Sequence, residues 1–92
     1  MVNILIVKMW LMSDEIWLVI PALNEEKTLR CILESANEIS MRCLVIDDGS
    51  KDLTRKIALE HSDLTISHDV KKGYSASIGE GFRALIGRED IG

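Results

Sequence analysis

Short apolar runs alternate with polar, acid-rich turns along most of this chain. Residues 16–20, Ile-Trp-Leu-Val-Ile, form a continuous apolar run rich in β-branched side chains, the pattern of a strand buried on both faces of a parallel sheet. Beyond it, Leu29, Ile32, Leu33 and Ala36 fall at i, i+3, i+4 and i+7, which predicts a helix with one face on the sheet. Asn24 is the expected N-cap, and Glu25 and Glu26 suit the positive end of that helix. Residues 42–46 read as a second strand that ends at Asp47-Asp48-Gly49-Ser50, where Gly49 gives the turn its freedom. A second helix is predicted over about 52–61, with Leu53, Ile57 and Ala58 inward and Lys51, Arg55, Lys56 and Glu60 solvated. A third strand over 64–67, a polar loop over 68–73 and a third helix from 74 or 75 complete the pattern, the last burying Ile78, Phe82, Leu85 and Ile86. Gly79 and Gly81 each weaken that helix by about 1 kcal/mol relative to Ala, so it either starts late or approaches something closely.

Three alternations of strand and helix demand parallel strands joined by right-handed crossovers. The expected fold class is therefore α/β, a Rossmann-like parallel sheet of three β-α units. Loops at the carboxyl ends of neighbouring parallel strands lie side by side and form the ligand crevice. Two acidic loops occupy that position here, Pro21-Ala22-Leu23-Asn24-Glu25-Glu26 and Asp47-Asp48-Gly49-Ser50, and together they make a candidate site.

Composition narrows the partners. The 92 residues carry 47% apolar and 28% charged side chains, an ordinary globular balance. Eleven Lys and Arg against fifteen Asp and Glu give a net charge of −4, with no basic cluster long enough to follow a phosphate backbone, so nucleic acid is not the expected partner. Cys31 and Cys43 lie in apolar stretches rather than at metal-ligand spacing and read as buried reduced thiols, in keeping with a cytoplasmic compartment. His61 and His68 read as surface or helix-end residues, Trp10 and Trp17 as core or interface residues, and no serine has a nucleophile-elbow context. Residues 2–12 are apolar but interrupted by Lys8, lack a small-residue cleavage site, and are too short to span a bilayer.

Three segments, "WLVIPALNEEKTL" at 17–29, "CLVIDDGSKDLT" at 43–54 and "KKGYSASIGEGFRAL" at 71–85, resemble in order and spacing the start of the family 2 glycosyltransferases. That family has the GT-A fold and includes polyprenyl-phosphate mannose and glucose synthases. The resemblance starts near residue 16, so residues 1–12 are set apart as an N-terminal extension, with Met12 a candidate start, and residues 13–92 as the N-terminal portion of the domain. It implies the sheet order 3-2-1-4. The family's metal-binding Asp-x-Asp follows the fourth strand, beyond the point where this sequence stops, and so do the catalytic base and the acceptor region. Without a fourth strand the first would have a bare edge. Residues 2–7 are therefore expected to pair with that edge as an extra strand, or the chain to self-associate through it.

By the same resemblance Pro21, Leu23 and Glu25 line the base and ribose pocket, Glu25 accepting from ribose hydroxyls. Many relatives carry an aromatic residue where Leu23 stands, so plain apolar contact replaces stacking and weaker nucleotide affinity follows. Asp48 is the implied acceptor for a ring N–H of the base, with Asp47 nearby. Read alone, the two aspartates would be a turn-forming pair that caps the next helix. Lys72 and Gly73 belong to a loop whose helix N-terminus faces the nucleotide diphosphate. Lys71 replaces the usual Asn there, and a solvated basic turn is the competing reading.

The implied function is nucleotide-sugar binding within an inverting transferase that moves a sugar from a UDP- or GDP-linked donor to an acceptor hydroxyl, a polyprenyl phosphate among the candidate acceptors. Mg2+ or Mn2+ is expected only in the complete domain, as is any membrane contact. No catalytic residue and no metal ligand is assigned within these residues, so the isolated chain is expected to be inactive. Two alternatives stand beside this reading. One is a stand-alone nucleotide-binding or regulatory module acting through a partner. The other is a receiver-like signalling domain, disfavoured because the acidic pair follows the second strand and the third leads only to His68-Asp69.

Overall fold

In a computed structural model, which describes residues 5–8 and 16–91, the apolar runs become a four-stranded sheet. Its strands are β1 (Leu5–Lys8), β2 (Ile16–Ala22), β3 (Arg42–Asp47) and β4 (Leu64–Ser67), in the spatial order β1-β2-β3-β4. The helices are α1 (Glu26–Glu38), α2 (Thr54–His61) and α3 (Tyr74–Ile91). Strands β2, β3 and β4 run parallel, in a register that pairs Ala22 with Asp47 and Asp47 with Ser67. β1 pairs antiparallel with β2, Leu5 opposite Val19 and Lys8 opposite Ile16. The edge expected to be bare is thus paired within the chain. Residues 2–4 of the predicted pairing segment lie outside the described residues.

Strand alternation sends the side chains of β2 and β3 to two separate cores. On one face Ile20, Ala22, Cys43 and Val45 pack with Leu29, Leu33 and Ala36 of α1 and with Ile57 and Ala58 of α2. On the other, Trp17, Val19, Leu44 and Ile46 pack with Leu85 of α3, and Ile78 and Ala84 close around them. Each large side chain fully buried in this way contributes roughly 1.5–3 kcal/mol. The order of the strands explains the two layers. Two successive right-handed crossovers, β2 to β3 and β3 to β4, place α1 and α2 on the same face. After β4 the chain passes to the opposite face, where α3 lies against β2 and β3.

α3 packs close. A methyl group at Gly81 would lie 3.0 Å from Val19 Cγ1 and 3.2 Å from Ile46 Cδ1, so the missing side chain lets the helix settle on the sheet. Close approach, rather than a late start, accounts for Gly81. The side chains of Phe82 and Ile86, and all of Trp10, lie outside what is described.

Four local expectations need correction. Asn24 is not the cap of α1: its φ is +52°, Glu25 holds the cap position, and the Asn24 carboxamide reaches the neighbouring loop instead. Leu53 is 54% exposed, because α2 starts two residues later than expected, at Thr54, and buries Thr54 in its place. Cys31 is exposed, since the stripe of Leu29, Leu33 and Ala36 points the intervening Cys31 away from the sheet, whereas Cys43 is buried. Burial, and then the nearby Asp63 carboxylate, pushes the Cys43 thiol up to about 11. His68 is the fourth. It is 5% exposed and belongs to the site described next.

Candidate functional site

Parallel pairing brings three loops to the carboxyl edge of the sheet, after β2, β3 and β4, and hydrogen bonds latch them to one another. Asp48 N donates to Ala22 O (2.9 Å), and His68 N donates to Asp47 O (2.8 Å), so the main chain stays bridged just past the strands. Between the first two loops, Asn24 N donates to Ser50 Oγ (2.9 Å) and Lys51 N donates to Asn24 Oδ1 (2.8 Å). The left-handed backbone of Asn24 makes both bonds possible, and asparagine tolerates that conformation better than most residues. Further along, Glu25 N donates to Thr54 Oγ1 (2.8 Å) and Glu26 N to Asp52 Oδ2 (3.3 Å). The start of α1, which has no side-chain cap of its own, is therefore held by the loop after β3. Asp52 also accepts from Thr54 N and Thr54 Oγ1. Burial raises its pKa, but these hydrogen bonds outweigh burial and hold the carboxyl below its ordinary value.

The two adjacent aspartates part company by strand alternation. Asp47 is 1% exposed and its Oδ1 accepts Ser50 N (3.1 Å), a turn-forming bond. Asp48 points toward the α3 layer. Its Oδ1 accepts Lys72 N (2.7 Å) and lies 2.8 Å from His68 Nδ1, while Oδ2 accepts Gly73 N (2.9 Å). Gly49 fits between the second and third loops with φ of +90°, where a methyl group would press to 3.2 Å on Lys71 N. Burial pushes the Asp48 carboxyl up, but the N–H of Lys72, the His68 ring and the N–H of Gly73 together bring it below the usual carboxylate range. The opening of α3 is thus fastened to the tip of β3 through one buried carboxylate.

Among the sequence-predicted residues, the structure joins Asp48, Lys72 and Gly73 directly. Pro21 pairs with Ile46 in the register of β2 and β3, and Asp47 pairs with Ala22. Leu23 and Glu25 follow in the first loop, both half-buried, Glu25 at the start of α1 on the other layer from Asp48. Sequence reasoning missed His68 and Glu80. His68 Nε2 lies 2.9 Å from Glu80 Oε2, and Lys72 Nζ lies 3.3 Å from Glu80 Oε1. His68 carries no cue in the sequence alone; the pairing of Asp47 with Ser67 sets Asp48 and His68, the residues just past the two strands, at the same level. Glu80, a helix turn and a half into α3, gave no local cue.

Among the described residues no three His, Cys, Asp or Glu side chains are grouped to hold a metal ion. Asp47 Oδ1 accepts Ser50 N, and the two Asp48 oxygens accept Lys72 N and Gly73 N. No described helix is long and apolar enough to cross a membrane.

The model of the family described as glycosyl transferase family 2 matches residues 17–88, a span that contains all three loops. The chain belongs to glycosyl transferase family 2. Similar proteins include an uncharacterized protein of Methanocaldococcus jannaschii, 32% identical over 75 residues, which cover 80% of this chain and 31% of that protein. Another is the 4,4'-diaponeurosporenoate glycosyltransferase of Staphylococcus haemolyticus, 35% identical over 77 residues, 82% of this chain and 20% of that enzyme. The chain thus spans about a third or less of the length of these relatives. No solved structure gives a significant match. Within the family 2 frame, the hydrogen-bonded loops form one continuous rim along the carboxyl edge of the parallel sheet.

Proposed function

We propose that this chain is the nucleotide-sugar-binding portion of an inverting glycosyltransferase that moves a sugar from a UDP- or GDP-linked donor to an acceptor hydroxyl. The family match over residues 17–88, which covers the three latched loops and all of the parallel strands but Ile16, carries the reading. Pro21, Leu23 and Glu25 line the base and ribose side, and Asp47 holds its turn. Asp48 offers Oδ2, which accepts a single hydrogen bond from the described residues, to a ring N–H of the base. Lys72 and Gly73, at the start of α3, face the diphosphate; Lys72 is exposed enough to reach it. The acceptor, a polyprenyl phosphate being one class, and the proton-accepting base belong to the complete protein.

Calorimetric titration of the chain with UDP and with GDP, each with and without Mg2+ or Mn2+, tests this reading. Saturable binding of one nucleotide, weak and independent of metal, is expected. Absence of saturable binding by both would end it. The Asp48→Ala variant should lose the binding while far-UV circular dichroism still reports a folded chain. Unfolding of that variant would assign Asp48 to structure alone.

A further inference from the structure

His68 is buried, and each of its ring nitrogens faces a carboxylate, Asp48 across Nδ1 and Glu80 across Nε2. An ionised carboxylate only accepts hydrogen bonds, and a neutral imidazole carries a single N–H. With one proton on the ring, one of the two contacts, at 2.8 and 2.9 Å, would set lone pair against lone pair. Protonating Asp48 is no remedy, because its two oxygens already receive Lys72 N and Gly73 N, which favour the ionised form. Placing the second proton on the imidazole satisfies all the contacts. The charged groups facing the ring are Asp48 from the tip of β3, Glu80 from α3, and Lys72 from the third loop, whose ammonium opposes the proton but is itself paired with Glu80.

We propose that His68, as an imidazolium, is a positioning residue for the nucleotide site: braced against Glu80, it orients the Asp48 carboxylate that clamps Lys72 N and Gly73 N. What the loop binds rests on the function proposed above; what holds the loop does not. Hydrogen bonds to Glu80 and then Asp48 raise the His68 pKa, against burial. The brace is therefore fully present below the unfolded imidazole value of about 6.5 and is lost as pH rises through the higher folded value. On the acid side it persists until Asp48 and Glu80 take up protons, which both do below their ordinary values.

The experiment is an NMR titration from neutral to alkaline pH that follows the His68 ring nitrogens and the Lys72 and Gly73 amides, with UDP affinity measured at the same pH values. The expected result is an imidazole midpoint above the ordinary value, loop amides that move with the same midpoint, and UDP affinity falling about tenfold across it, the loss of one charge-assisted hydrogen bond. Glu80→Gln should shift all three midpoints down together. His68→Asn, whose amide carries no titrating charge and cannot reach Glu80, should abolish the midpoint and leave UDP affinity flat across the titration, near the weaker alkaline value of the natural chain. A purely structural histidine would change unfolding stability in these variants and leave the pH profile of binding where it was. An imidazole midpoint at or below the ordinary value, or loop amides that ignore it, would overturn the brace. Binding of neither UDP nor GDP at any pH, with ring and amides still titrating together, would instead overturn the nucleotide site while confirming the brace.

Discussion

Gly79 and Gly81 lie one turn-fraction apart in α3, and the same substitution should have opposite effects at the two. Replacing either by alanine removes the conformational cost of glycine in a helix, a gain of about 1 kcal/mol. At Gly79 the new methyl group would meet only the Arg83 guanidinium, at 3.3 Å, the far end of a flexible side chain on an exposed residue. At Gly81 it would meet Val19 Cγ1 at 3.0 Å, Ile46 Cδ1 at 3.2 Å and Leu44 Cδ2 at 3.5 Å. All three belong to buried residues, and valine is stiff about χ1, so the helix must lift. Overpacking of this kind costs about 1–3 kcal/mol, which exceeds or cancels the helix gain. Gly79→Ala should therefore be about 1 kcal/mol more stable than the natural chain, and Gly81→Ala equal to it or up to about 2 kcal/mol less stable. Urea unfolding followed by circular dichroism at 222 nm reads the difference, each kcal/mol moving the midpoint by roughly 0.5–1 M at the slopes expected of a small domain. Equal stabilisation by the two substitutions would show that α3 does not rest on Val19 and Ile46, and the packing argument would fail.

Three further outcomes follow from the same contacts. Asn24→Gly should keep the left-handed backbone and lose only the bond to Lys51 N, whereas Asn24→Ala should add strain of about 1 kcal/mol; thermal melts that rank alanine at or above glycine would contradict this. Asp48 and Asp52 have folded pKa values below their unfolded ones, so the stability they contribute is present above about pH 4 and is lost as pH falls through the folded values. Melting temperature measured from pH 2 to 7 should accordingly drop at the acid end, and the drop should be shallower in Asp52→Asn; an unchanged acid limb would remove Asp52 from the account. Ser77 is fully buried and its Oγ finds no partner among the described residues, so Ser77→Ala should raise stability by up to about 1 kcal/mol, and a loss in urea unfolding would show a hidden partner.

The sheet and its two layers were legible because they depend on patterns that act locally. The apolar run 16–20 puts Trp17, Val19 and Ile20 into cores on both faces, although Ile16 at its start is exposed, and the stripe of Leu29, Leu33 and Ala36 admits only one helix face toward the sheet. The third strand, Leu64–Ser67, lies where its short apolar pattern puts it. What escaped were choices settled by partners distant in sequence. Asn24 has every local mark of a cap, yet Asp52 and Thr54, more than twenty-five residues away, hold the start of α1 and free Asn24 to latch the second loop. His68 has no acidic neighbour at metal or triad spacing. Its partners are 20 and 12 residues off, just past β3 and on α3, and only the folded register brings them to the ring. Asp48 shows both sides of this. Its place at a strand tip was readable from Asp47-Asp48-Gly49-Ser50, but its hold on Lys72 and Gly73 required the third loop to be set beside the second.

The most direct test of the nucleotide site maps where a nucleotide lands. Backbone amide shifts of the isotopically labelled chain, recorded during titration with UDP and GDP, should move saturably in the three loops, around Leu23 to Glu25, Asp48 to Ser50 and Lys72 to Gly73. Saturable shifts confined to another face of the molecule, or none with either nucleotide, would contradict it.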